Sequence, residues 1–297
     1  MKYLKITVTI LFFAVAALFL SAPKMFMQSF LDGIAVWAYN VLPALFPFAV
    51  LTPLATKFFP KRRRSVCKKL FGVPADEIFV ASLLCGYPIG AKAIAESRLE
   101  GDSAVCACAF CSSASPVFVV ATVGASLLKS TAATVVLALS HLLSVFACGL
   151  FFKKKGVVSE CDDDKDSVFA FDDVGNALTS AVLSVLSVGG LIALFYMLTD
   201  MIKCVLPEPL SQSATTGFLL GLLEMTNGII SVCAECDLFS ATVLSSFLLS
   251  FGGLCVFAQS MTFLSKKHLN PLKFLQIKLV QGSAATLFAF ALGKILL

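Results

Sequence analysis

Charge is scarce in this chain. Only 14% of its 297 residues are Asp, Glu, Lys or Arg, and it has two histidines and one tryptophan. So little charge over this length excludes an ordinary soluble domain, because 58% of the residues are hydrophobic and the mean hydropathy is +0.92. The two histidines, His141 and His268, stand apart from the Cys108-x-x-Cys111 and Cys233-x-x-Cys236 pairs, which leaves no zinc-ligand spacing. No nucleophile–base pair, phosphate loop or zinc-protease pattern occurs, so the chain does not read as an enzyme. Eleven cysteines are an odd number, and most lie inside apolar runs, where cysteine packs as a small hydrophobe rather than in a disulfide framework. The net charge of +5 comes from short basic clusters between apolar runs, a topology signal rather than a nucleic-acid surface.

What the chain has instead is repeated apolar runs of spanning length, at roughly 4–22, 33–58, 78–98, 103–128, 131–152, 174–204, 214–236, 238–265 and 271–296. This pattern predicts a multi-pass protein of the cell membrane, with the lipid bilayer as its surroundings. Lys2, Lys5 and Ser21-Ala22-Pro23 loosely resemble a signal peptide, but the same segment serves as a first span. Three basic clusters follow: Lys61-Arg62-Arg63-Arg64 with Lys68-Lys69, Lys153-Lys154-Lys155, and Lys266-Lys267. The positive-inside rule puts all three in the cytoplasm. Three apolar segments separate each consecutive pair, so one segment of each trio must enter and leave by the same face.

Segments 78–98 and 214–236 are the ones interrupted at their middles, by Gly86-Tyr87-Pro88-Ile89-Gly90 and Glu224-Met225-Thr226-Asn227-Gly228. We read both as re-entrant helical hairpins. The result is an all-α membrane protein of about seven transmembrane helices plus two hairpins, with the N-terminus cytoplasmic. Residues 1–32 form a first span. Residues 33–152 form one repeat (span, hairpin, broken span, span) and 174–297 a second of opposite orientation, with a charged cytoplasmic linker at 153–173. The interruptions keep their offset in both halves. Gly86 precedes the Ser112-Ser113-Ala114-Ser115-Pro116 break by 26 positions (112 − 86), and Glu224 precedes Ser250-Phe251-Gly252-Gly253 by 26 (250 − 224). Paired interruptions in corresponding places point to a transporter binding site at an inverted-repeat interface.

The candidate substrate-binding residues follow from these interruptions. They are Gly86, Tyr87, Pro88 and Gly90 at the first tip, and Lys92 just past it, four residues before Glu96 on the same helix face. Ser112, Ser113, Ser115 and Pro116 form the first break, where serines can satisfy carbonyls freed by the proline and the following half-helix can face an anion. Asn227 lies at the second tip, and Gly252, Gly253 and Gln259 at and beyond the second break. Glu224 is the candidate ion-coupling residue, taking a proton or a sodium ion; the rival reading is a buried glutamate capping the second arm. For Lys92 and Glu96 the rival is the cytoplasmic interface, for the serine–proline break a patched kink at a helix crossing. No resident cofactor or metal is expected. The expected partner is a small solute, and self-association is compatible with this reading.

Gly86-Tyr87-Pro88-Ile89-Gly90-Ala91-Lys92, then Phe110-Cys111, Pro116-Val117-Phe118 and Val123-Gly124, resemble the YlbJ-type sporulation integral membrane proteins of the nucleoside-recognition (Gate) group. Gly221 to Gly228 and Ser250 to Gln259 extend the resemblance over nearly the whole chain. It implies a membrane protein of spore formers, distantly akin to concentrative nucleoside transporters, in a group connected with movement of dipicolinic acid. One departure stands out: relatives carry an Asn/Ser-rich Ser-Gly-Pro where this chain has Ser112-Ser113-Ala114-Ser115-Pro116. Together these readings predict a secondary transporter of a small anionic or nucleoside-like solute. The alternative is a non-transporting membrane module that binds a ligand or partner needed for spore formation.

Overall fold

Helices form wherever the apolar runs are uninterrupted, and they stop where Gly, Pro or a capping side chain intervenes. In the computed structural model, residues 2–56, 65–153 and 171–297 are described, and among them every regular element is helical. Helix α1 spans Lys2–Ser21 and α2 Pro23–Val36; a π-helical turn, Trp37–Val41, joins α2 to α3 (Leu42–Thr56). A short α4 (Val66–Phe71) precedes the hairpin of α5 (Asp76–Cys85) and α6 (Ile89–Glu96). Next come α7 (Gly101–Phe110), a wide π-helix at Phe118–Leu128, and α8 (Thr131–Phe151). The second half runs α9 (Phe171–Val205), α10 (Glu208–Ser211), the hairpin of α11 (Ala214–Gly221) and α12 (Met225–Glu235), then α13 (Leu238–Phe251), α14 (Gly253–Leu264) and α15 (Pro271–Leu296).

Among the described residues, five stretches are long and apolar enough to cross a membrane: Pro23–Leu54, Thr131–Phe151, Phe171–Val205, Leu238–Lys267 and Pro271–Leu296. The first begins at Pro23 rather than near residue 33, because Pro23 is well suited to the first turn of a helix and nothing after it breaks the ladder before Trp37. The Lys61–Arg64 cluster and most of the 153–173 linker lie outside the described residues. The ends of several helices are closed by their own sequence. Ser65, Ser130, Ser213, Asp237 and Asn270 each accept a first-turn backbone N–H, at α4, α8, α11, α13 and α15.

The sequence interruptions become tight backbone junctions. Gly86 ends α5 with φ +76°, and Gly252 and Gly253 separate α13 from α14 with φ +85° and +74°, a region that only glycine enters freely. The hairpins fold back closely. A Cβ on Gly90 would lie 1.9 Å from the carbonyl oxygen of Cys111, and one on Gly228 2.2 Å from Cα of Gly221. Thus the first hairpin presses on the first break, and the arms of the second press on each other. Helices α8, α13 and α15 pack together, while α2 and α3 pack on α9. Stacking of Phe71 on Phe110, with centroids 4.3 Å apart, pins α4 to α7.

Adding side-chain volume at these contacts should cost about 1–3 kcal/mol or prevent folding, as overpacking does. Gly90→Val and Gly228→Val are expected to lower the melting temperature of the detergent-purified protein. Gly190→Ala, which meets nothing within 4 Å, should leave it near wild type. Equal stability of all three would contradict the close approach.

Candidate functional site

Both hairpin tips and both broken helices border one cavity of about 50 Å³. The first tip supplies Cys85 and Tyr87, and the first break Ala114, Ser115 and Phe118. The second tip supplies Glu224, Met225 and Thr226, and the helix after the second break Cys255, Val256 and Gln259. Val41, Ala44 and Leu45 close one side, and Val188 and Ile192 of α9 another. The walls are mainly apolar, with Tyr87, Ser115, Glu224, Thr226 and Gln259 as the polar side chains and Glu224 as the one carboxylate. A mostly apolar pocket with a few convergent polar groups is the usual form of a small-molecule site.

Glu224 is 2% exposed and does two things at once. Its Oε1 accepts from the backbone N–H of Thr226 at 3.0 Å and its Oε2 from that of Asn227 at 2.7 Å, capping α12. It also borders the cavity, so capping and solute contact are compatible in this geometry. The helix end favours the carboxylate form, whereas burial opposes it. The first donors of α14 are occupied too. Leu254 N–H and Cys255 N–H each donate at 2.8 Å to the carbonyls of Leu222 and Leu223 at the second tip. The N-termini of α12 and α14 therefore bind parts of the protein itself.

The remaining expected residues divide in the same way. Tyr87, Ser115 and Gln259 line the cavity; Gln259 also donates to Cys255 Sγ at 3.2 Å. Gly86, Gly90, Gly252 and Gly253 shape the junctions rather than line the cavity, and Pro88 begins the second arm of the first hairpin. Ser113 donates to the Ser82 carbonyl at 3.1 Å, and Pro116 is exposed. Asn227 lies behind the tip, donating to Thr199 Oγ1 at 2.9 Å and accepting from Lys203 at 3.3 Å. Lys92 points away from the cavity, because its helix face turns toward α9; its ammonium donates to Ser180 and, at 2.9 Å, to Ser184 Oγ.

Two residues outside that set hold the breaks together. Lys278, on α15 and 1% exposed, donates to Tyr87 Oη at 2.8 Å, to the Ser112 carbonyl at 3.2 Å and to Gln281 Oε1 at 2.7 Å. Its ammonium also lies 4.5 Å from the centre of the Tyr87 ring. Tyr87 Oη in turn faces the carbonyls of Leu249 and Ser250, at 3.3 and 3.1 Å. His141, on α8 and 2% exposed, accepts from Ala114 N–H through Nε2 at 3.0 Å. That contact leaves the ring proton on Nδ1, which donates to Ser250 Oγ at 2.8 Å. Each break is thus gripped by a side chain from the other half of the chain. The sequence did carry a signal for Lys278, a lysine seven residues into a largely apolar helix.

His141→Leu would orphan the Ala114 N–H and the Ser250 hydroxyl, at about 1–3 kcal/mol for a buried group left unpaired. We expect a lower melting temperature in detergent for His141→Leu than for Ser187→Ala, whose hydroxyl is exposed and bonds within its own helix. A wild-type melting temperature in His141→Leu would contradict the bridging role.

The chain is similar to the sporulation integral membrane protein YlbJ of Bacillus subtilis (strain 168). The two are 27% identical over 331 aligned positions, which take in 95% of this chain and 81% of the relative. This match supports the YlbJ-type assignment along almost the full length and, with the apolar helices, makes the chain a multi-pass membrane protein. No family model matches the chain, and no solved structure does.

Proposed function

We propose that this chain is a secondary transporter of a small anionic or nucleoside-like solute, acting in sporulation as its relative's name indicates. The observation that carries the reading is the convergence of two hairpin tips and two broken helices on one mostly apolar cavity that contains a buried carboxylate. Unwound backbone at membrane depth is tolerated only where protein or a wet cavity satisfies it, and such places mark transport sites. An apolar cavity with few polar groups suits the flat face and polar edge of a small ring-bearing solute.

In this proposal α2–α3, α5–α6, α7 with the helix Phe118–Leu128, and α8 correspond to α9, α11–α12, α13–α14 and α15. The two sets form an inverted repeat, with re-entrant hairpins, seven spans and a cytoplasmic N-terminus. What supports the pairing is the common 26-residue offset between tip and break (112 − 86; 250 − 224). Helices α8 and α15, at matching places in the two sets, each carry a buried ionisable residue into the breaks, His141 and Lys278.

Glu224 is the coupling residue in this mechanism. Its two backbone donors fix the carboxylate at the tip of a movable hairpin, and occupation by a proton or sodium ion changes the charge that the cavity presents. Movement of one repeat against the other would expose the cavity to each face in turn. Lys92 has no part in this mechanism, a reading that its bonds to α9 support.

The test is uptake of labelled dipicolinic acid and of a labelled nucleoside into proteoliposomes. Wild type is expected to accumulate one of them down an imposed ion gradient. Glu224→Gln, which can accept only one of the two backbone N–H groups, should remain folded with a lowered melting temperature and lose gradient-driven uptake by tenfold or more, and Lys92→Ala should retain it. Unchanged uptake and ion dependence in Glu224→Gln would overturn the coupling role. Absence of uptake of either solute by folded protein would favour the non-transporting binding module.

A further inference from the structure

Lys278 is buried without a bridging carboxylate among the described residues. Its three donors end on a phenol oxygen, a backbone carbonyl and an amide oxygen, all neutral acceptors. A lysine ammonium has three donors and no acceptor, so the hydrogen bonds are complete while the charge is unbalanced. An unbalanced cation in a low-dielectric interior is costly, and an opposite charge nearby lowers that cost.

Two of the residues that hold Lys278 also have an unused polar atom. Ser112 accepts through its carbonyl while its own Oγ has no hydrogen-bond partner, and Gln281 accepts through Oε1 while its Nε2 has none. Both residues are buried, Ser112 at 5% and Gln281 at 0% exposure. The unpartnered groups are a hydroxyl and an amide N–H₂, both able to donate, and both belong to residues in direct contact with the ammonium. Buried polar atoms without partners are rare enough in folded proteins that each calls for an explanation.

We propose that Lys278, Ser112 and Gln281 form an anion subsite that takes a carboxylate-sized monovalent anion. The Ser112 hydroxyl and the Gln281 amide donate to the anion's oxygens, and Lys278 supplies the balancing charge. Tyr87 connects the subsite to the cavity, since its hydroxyl is held by Lys278 and its side chain borders the cavity wall. The anion is either a free counterion or the carboxylate of a solute seated in the cavity; only the second form rests on the transporter reading above.

The diagnostic variant is Gln281→Glu, which keeps the side chain's shape, keeps an oxygen for Lys278 and builds the missing negative charge into the protein. Melting temperatures of the full chain in detergent would be followed against sodium formate and sodium benzoate. Sodium gluconate, a bulky polyhydroxy carboxylate, would hold the ionic strength, and formamide would serve as the neutral control. The proposal expects formate or benzoate to raise the wild-type melting temperature by a few degrees at saturation and formamide to leave it unchanged. Gln281→Glu should begin at or above the wild-type melting temperature and lose the anion response, and Ser112→Ala should weaken the response severalfold. A formate response equal to that of benzoate identifies a resident counterion. A response confined to benzoate, and removed by filling the cavity with Ala114→Leu, identifies a solute carboxylate. No anion-specific shift in wild type, or the same shift in Gln281→Glu, overturns the subsite whether or not the protein transports.

Discussion

Every interruption of a helix inside a hydrocarbon layer frees backbone N–H and C=O groups that lipid cannot satisfy. Among the described residues, two hairpin tips and two broken helices meet at one cavity, and the architecture around it is the set of partners that these interruptions find. The carbonyls of Leu222 and Leu223 meet the first donors of α14. Glu224 meets the first donors of α12. His141 meets Ala114 N–H, Lys278 meets the Ser112 carbonyl, and Tyr87 meets the carbonyls of Leu249 and Ser250. None of these partners is a near neighbour in sequence except Glu224, so the breaks cannot exist without the assembled fold.

That dependence shapes the functional picture. Groups that would be free to bind a solute in isolated half-helices are largely spent on the protein, which leaves an apolar cavity with a few polar side chains at its edge. Because the pins cross between the halves of the chain, a displacement of one half strains the breaks of the other. Such shared hydrogen bonds favour a small number of discrete arrangements over continuous deformation.

Much of this was legible in the sequence because the backbone constraint writes itself in residue type. Positive φ at Gly86, Gly252 and Gly253 demands glycine, and glycine in an apolar run is conspicuous. Glu224 was legible for the same reason, as a carboxylate in an apolar segment, though only coordinates show it capping a helix and bordering a cavity together. Lys92 shows the limit of that logic: it lies just past a tip, yet the rotation of its helix turns it to Ser180 and Ser184. His141 and Lys278 were visible as ionisable residues in apolar runs, but the partners through which they hold the breaks lie 27 to 191 positions away, a pairing that no local pattern encodes. The start of the first long helix at Pro23 was missed because hydropathy falls there while helical geometry continues.

The most direct test of the central claim uses a thiol that the cavity already contains. Cys255 lines it beside Glu224 and is 1% exposed. In sealed vesicles of defined orientation, a membrane-impermeant maleimide is added to the lumen or to the exterior, and modification of Cys255 is read by peptide mass spectrometry. Alternating access predicts that Cys255 is modified slowly from both sides, and that Glu224→Gln shifts the balance toward one of them. A Cys255 that stays unmodified from both faces in folded protein, over times that fully label exposed Cys204, would contradict the account.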